Sequence, residues 1–475
     1  MKTSEHNGEI LAGVAKQEIT PECPISMGGY GQRAGLLSNG VHDPLFTKAL
    51  FLKQGENRLC IITADLISIP DAVFNRVLTF LMKEGTIDEK GLCISASHTH
   101  SGPDVEKSLI IASPTREYLE GLIDKMVLAA KEAAGKLQPV EVIIATGQAN
   151  FQANRRSDVA EPLVDPRVLA VEFDHKEKHK PLAILFGVGC HAVCLGHDNL
   201  QISADYPGAA QAYLEKHLGV EAALFVNLTE GNIIPSTRPR FDSLDTRGYM
   251  GGTFEDSRTV GESLGLEVIE ALRGSQTLDN PSLQSARRVI SVKPSHAEMG
   301  AWSAWKNLLK ERRIILEYLP GFRKATPFNL KPVYTLWRDA SQVVIERNMD
   351  ESEMRRLMSA VSRFLIMAMK LGNPSFRKPY SLAVQVIQLG DLRILTLPGE
   401  VLVEVGQEWQ ARNAPFGKQA FIFGLSNGFV GYLPHPDNFK EPEADFKYET
   451  IMNALEQNAT VIVLNAATEM IQKGV

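Results

Sequence analysis

The chain has 475 residues, 44% of them hydrophobic and 22% charged, with a mean hydropathy of −0.09. That supplies a core of ample size, for one large α/β domain with insertions or for two to three smaller domains. A net charge of −6 and a pI near 6.1 exclude an electrostatic case for nucleic acid or anionic membranes.

Along the chain, short apolar strands alternate with amphipathic helices. Leu59 to Ile62 reads as a strand ending at Asp65, and Pro70 opens a helix whose Val73, Phe74, Val77, Leu78 and Leu81 recur at helical spacing. Gly91 to Ala96 reads as a buried strand. Ser113-Pro114 is a cap and first-turn proline for a helix running to about Ala134. Strands follow at Val140 to Ala145, Val168 to Phe173, Leu182 to Val188 and Ala222 to Val226, with helices at Gly208 to His217 and Glu255 to Leu272. His296 to about Gly372 reads as a helical insertion, for which packing on the body is a better expectation than a lid. Strands return at Ala383 to Leu389, Leu392 to Leu397 and Ala420 to Gly424. They are interleaved with a helix over Val401 to Ala411 and followed by one from about Tyr448. This rhythm predicts a mixed, mostly parallel sheet with helices on both faces. The loop Gly231 to Gly252 is long for a compact domain, which marks it as functional.

Five cysteines (23, 60, 93, 190 and 194) make no disulfide framework. Cys60 and Cys93 sit in apolar runs, and the Cys-x3-Cys around His191 reads as packing before ligation. The first residues lack the apolar core of a signal peptide, and no run has the length of a transmembrane helix. The expectation is a cytoplasmic protein, or a secreted one if a signal has been removed. No Gly-x-Gly-x-x-Gly opens a helix after a strand, and there is no P-loop.

The chemistry concentrates at strand ends. Ser97-His98-Thr99-His100-Ser101-Gly102-Pro103 sets two imidazoles two residues apart, on one side of an extended chain, just before a forced turn. Either histidine is a candidate ligand or acid/base group. Asp65, His191, the stretch Asn227 to Asn232, Glu400 and Tyr432 end or follow other strands. Each alone reads as well as a structural residue. Two histidines and a carboxylate together make a zinc set with positions left open.

These motifs, with Ala12-Gly13-Val14-Ala15, Ile19-Thr20-Pro21, Met27-Gly28-Gly29-Tyr30, Asn154-Arg155, Pro398-Gly399-Glu400 and Tyr448-Glu449, resemble the neutral (non-lysosomal) ceramidases from Gly13 to about Glu449. The resemblance implies a single catalytic domain and a Zn2+ site. His98, His191, Glu400 and Tyr432 match metal ligands, His100 and Arg155 match residues around the water and the substrate carbonyl, and Tyr448 matches a tyrosine facing the oxyanion. One departure stands out. Family members carry Gly-Asp-Val-Ser-Pro-Asn, and this chain reads Gly231-Asn232-Ile233-Ile234-Pro235-Ser236, with Ile234 at the serine. The expectation is a zinc-dependent hydrolase of an amide or related acyl bond in a small molecule other than ceramide. The alternatives are a genuine ceramidase and a non-catalytic binding protein on the same fold. A C-terminal immunoglobulin-like domain is not expected after the Tyr-Glu motif.

Overall fold

The computed structural model describes residues 8–33, 36–105, 116–156, 162–178, 180–237, 252–279, 281–295, 301–324, 331–372, 378–441, 444 and 447–474. The start of the expected helix at Ser113-Pro114 and most of the loop 231–252 lie outside these residues.

The larger sheet has eight strands. Its spatial order is Ala222–Asn227, Lys180–Val188, Arg167–His175, Gln138–Gln148, Leu11–Glu18, Phe46–Gln54, Asn57–Ala64 and Leu92–Ala96. The sheet is mixed, as expected, but its parallel pairs are confined to the two edges, and all the inner pairs are antiparallel. The expected parallel majority is therefore corrected. Short connections such as the turn between Gln54 and Asn57 leave only enough chain for a hairpin, whereas a parallel return needs a crossover.

Helices cover one face of this sheet, not both. Val168, Ala170, Ile184 and Phe186 point towards helices Asp205–Leu218 and Phe254–Leu272, while Ala49, Phe51, Cys60 and Ile62 face helices Asp71–Lys83 and Arg116–Gly135. The alternate residues Leu169, Val171, Leu50 and Ile61 pack on Ile387, Leu389, Ile394 and Phe421. These belong to a second, four-stranded sheet in the order Leu283–Val292, Tyr380–Leu389, Leu392–Thr396 and Gln419–Phe423. That sheet's outer face is covered by helices Val403–Asn413 and Ala459–Gln472, around the fully buried Trp409. The result is a four-layer stack of helices, sheet, sheet and helices. Strand alternation feeds two apolar faces per sheet, each large side chain removed from water contributing about 1.5–3 kcal/mol.

The segment read as a helical insertion holds helices Ala301–Tyr318, Lys331–Glu346 and Glu351–Gly372, with a core of their own. They touch the body at the turn Gly31–Arg33 and the short helix Tyr448–Ile451. The helix expected from Tyr448 is thus two pieces, Tyr448–Ile451 and Ala459–Gln472.

Candidate metal centre

Strand Leu92–Ala96 delivers the first histidines. His98 leaves it with φ of +67°, so the motif is a tight turn and not the extended segment that would set both rings on one side. Backbone strain of this kind clusters at functional sites. The His98 backbone N–H is nevertheless held by Leu66 O at 2.9 Å, and its Nδ1 lies 2.7 Å from Ile67 O. His191 follows strand Lys180–Val188, with Nδ1 at 2.8 Å from Glu230 O and 3.1 Å from Ile233 O. In both rings Nδ1 faces only carbonyl oxygens, to which it can only donate, and this turns Nε2 towards Glu400.

Glu400 comes from the second half of the chain. Glu400–Val401 pairs in parallel with Tyr432–Leu433, which sets Glu400 beside Tyr432. The pairing needs the glycine of Pro398-Gly399-Glu400, because a Cβ on Gly399 would lie 2.3 Å from Gly431 O.

Glu400 Oε2 then lies 3.1 Å from His191 Nε2 and 3.4 Å from His98 Nε2, and His100 Nε2 is 3.3 Å from His98 Nε2. Burial, aided by the Arg155 cation, pushes the His191 imidazole down to about 4, and burial beside His98 and His191 pushes His100 well down. Burial works against the charge on Glu400, but the adjacent His98 and His191 rings hold its carboxyl well below the usual range. Two imidazole nitrogens and a carboxylate oxygen thus converge in a buried site. That donor set fits a cation held between them. The imidazole nitrogens of His98, His100 and His191 lie within 4.8 Å of one another, so this group could hold a metal ion.

The other expected site residues surround this group. Arg155 Nη2 donates to Tyr432 Oη at 3.1 Å and to Gly231 O at 2.7 Å. Burial, then the Glu400 charge, push both the Tyr432 and Tyr448 phenols up, so each keeps its O–H, and their rings meet edge to face at 5.5 Å. His100 packs edge-on against Tyr30 at 4.7 Å.

Some candidates stay outside. The two oxygens of Asp65 accept from Phe46 N and Gln211 Nε2, so this carboxylate braces the sheet and a helix. Asn227 ties Cys190 N to Ser97 O, and Cys190 and Cys194 are buried and form no disulfide. Ile234 is 1% exposed against Tyr30 and Val193, and Ser236 is exposed, with its backbone N–H on Phe151 O.

Two acidic residues were missed as functional groups. Glu449 joins Arg155 Nε at 2.7 Å and Arg156 Nη1 at 2.8 Å, and Arg156 continues to Glu441. The Tyr448-Glu449 motif flagged the position, but its partner lies 294 residues away. Glu230 is fully buried with neither carboxyl oxygen hydrogen-bonded among the described residues, and burial, then Glu400, raise its pKa well above the ordinary value. A glutamate in the tract Leu228-Thr229-Glu230-Gly231 was the available signal.

Residues 10–236 match the family described as neutral/alkaline non-lysosomal ceramidase, N-terminal. The neutral ceramidase of Pseudomonas aeruginosa is 24% identical over 272 residues, covering 52% of this chain and 40% of that protein. Those of Mycobacterium tuberculosis and Oryza sativa subsp. japonica are 25% and 24% identical over 234 and 227 residues, covering 44% and 43% of this chain and 36% and 28% of theirs. The matches thus span less than half of these relatives' own length. The crystal structure of the P. aeruginosa neutral ceramidase superposes with a TM-score of 0.72 at 18% identity, over 98% of this chain and 74% of that one. A ceramidase complexed with C2 gives 0.71 at 19% identity, over 98% of this chain and 75% of the other. The four-layer fold is therefore shared with these structures.

Proposed function

We propose, on the premise that residues 10–236 belong with the N-terminal part of the neutral/alkaline non-lysosomal ceramidases, that the chain is a zinc-dependent amidohydrolase. It cleaves an N-acyl bond in a small molecule. The observation that carries this reading is the convergence of His98 Nε2 and His191 Nε2 on Glu400 Oε2, at 3.4 and 3.1 Å, while the Nδ1 of each ring is engaged by a backbone carbonyl. In this reading His98, His191, Glu400 and Tyr432 hold the ion. A bound zinc ion polarises a carbonyl and acidifies water.

The remaining steps belong to the chain. His100, kept neutral by burial, takes the proton from the attacking water and returns it to the leaving amine. Arg155, fixed by Glu449 and Gly231, presents its guanidinium beside Tyr432. Tyr448, protonated, donates to the oxygen on which negative charge develops. Ile234 stands where related ceramidases carry a serine and has no hydroxyl to offer, so the reaction uses no nucleophile at this position and ceramide is not the preferred substrate.

Elemental analysis of the purified chain tests the metal. About one zinc per chain is expected, lost on His98→Ala together with His191→Ala. Absence of zinc, or its retention in the double variant, overturns the reading. With zinc bound, short N-acyl amides are hydrolysed and a short-chain fluorescent ceramide is not. Fatty-acid release from the ceramide reinstates a true ceramidase, and no turnover of any amide leaves a binding protein.

A further inference from the structure

The three insertion helices enclose their own apolar core, yet one large side chain of that core reaches the centre. Trp337, on helix Lys331–Glu346, is 7% exposed. Its ring lies edge to face against Tyr448 at 5.9 Å, and Tyr448 in turn packs on Tyr432. Its pyrrole ring also meets the turn Gly31–Arg33, where a Cβ on Gly31 would sit 3.4 Å from Trp337 Cγ and 3.5 Å from Cδ1. Cδ1 is bonded to the indole nitrogen. The residue before this turn, Tyr30, carries His100 against its ring. Trp337 therefore lies against Tyr448 and against the turn that follows Tyr30.

The indole Nε1–H is buried and has no hydrogen-bond partner among the described residues. A buried tryptophan N–H ordinarily finds an acceptor. Leaving one unpaired is costly, whereas filling the position with phenylalanine would avoid that cost and keep the ring contact. An orphaned donor on a ring whose centroid lies 5.9 Å from that of Tyr448 has its use when an acceptor arrives with the ligand.

We propose that Trp337 is a specificity-determining residue, whose indole N–H donates to an oxygen acceptor on the substrate outside the bond that is cleaved. The substrate class is then an N-acyl compound bearing a second oxygen function, a hydroxyl or a carboxylate. This rests on the amidohydrolase reading for the identity of the bond, but the donor itself is independent of it. The inference also gives the helical insertion a share in choosing the substrate.

Two measurements on the full-length, zinc-loaded protein test it, with N-hexanoylethanolamine, N-hexanoylglycine and N-hexanoylethylamine as probes. Trp337→Phe should raise KM about tenfold for the first or second, the equivalent of one lost hydrogen bond. It should leave kcat nearly unchanged, along with KM for the ethylamide, which has no second oxygen. In parallel, the indole 1H–15N resonance of Trp337, one of four tryptophans and assigned by its loss in the variant, should shift downfield with an oxygen-bearing probe and not with the ethylamide. A shift without hydrolysis upholds the donor and sinks the amidohydrolase reading. Equal KM values in wild type and variant, an equal shift with all three probes, or no shift with any of them, overturns the inference.

Discussion

At the scale of single residues, the centre depends on carboxylates that ligate nothing. Glu449 accepts from Arg155 and Arg156 in a site only a few per cent exposed, and it is the anchor that directs Arg155 Nη2 towards Tyr432. Glu449→Gln takes the carboxylate from the buried Arg155 cation and leaves Arg156 with Glu441 alone. Breaking a buried pair in this way destabilises by about 3–5 kcal/mol. We expect a lower midpoint of urea unfolding and a loss of turnover, with zinc still bound. A variant with unchanged midpoint contradicts this assignment. A second buried acid shapes the pH response. Burial, then the neighbouring Asp174, raise the Glu172 carboxyl to about 7. Its folded pKa lies above the unfolded one, so its contribution is complete below the unfolded pKa and is lost as pH rises through 7. Melting temperature should therefore fall between about pH 4.5 and 7 more steeply in the wild type than in Glu172→Gln. Parallel profiles would remove Glu172 as the cause.

At the scale of elements, glycines set how closely the layers approach. Gly13, in strand Leu11–Glu18, lies under helix Arg116–Gly135, and a Cβ there would come 2.1 Å from Ala133 O. Backbone cannot give way as a side chain can, so Gly13→Ala should destabilise by about 1–3 kcal/mol or more, read as a drop in melting temperature. An unchanged melting temperature would mean that the helix shifts freely. Legibility also divides at this scale. Helices such as Asp71–Lys83 and Phe254–Leu272 were readable because apolar spacing and caps are local. The two-sheet stack was not, because strand pairing depends on residues far apart in the chain. Tyr380–Leu389 alternates towards both neighbours and carries no mark of which sheet it joins. The site followed the same rule. His98, His191, Glu400 and Tyr432 stand in short recognisable motifs, whereas the partners of Glu449 and the orphaned side chain of Glu230 emerge only when the chain is folded.

At the scale of the whole molecule, the proposed ligands come from both sheets. His98 and His191 follow strands of the larger sheet, and Glu400 follows Leu392–Thr396 of the smaller one. An ion held by all three joins the layers, and its affinity for the folded state adds to stability by mass action. At a thousandfold excess over Kd that amounts to about 4 kcal/mol. Chelator treatment should lower the melting temperature by several degrees, and added zinc should restore it. A melting temperature indifferent to chelator would separate the centre from stability.

The distribution of those donors along the chain has a consequence in time. Residues 10–236 contain both histidines but neither Glu400 nor Tyr432, and 209 residues separate His191 from Glu400. During synthesis the two imidazoles emerge long before their carboxylate. With zinc as the occupant, tight capture waits until the second sheet has docked, after residue 432 has been made. Loop closure over such a span adds only slowly with length, about 0.6 kcal/mol per doubling, so the delay is one of order more than of energy. An ion bound in this way would serve as a completion check. A chain that stops before Glu400 keeps its histidine motif but lacks the carboxylate that faces it.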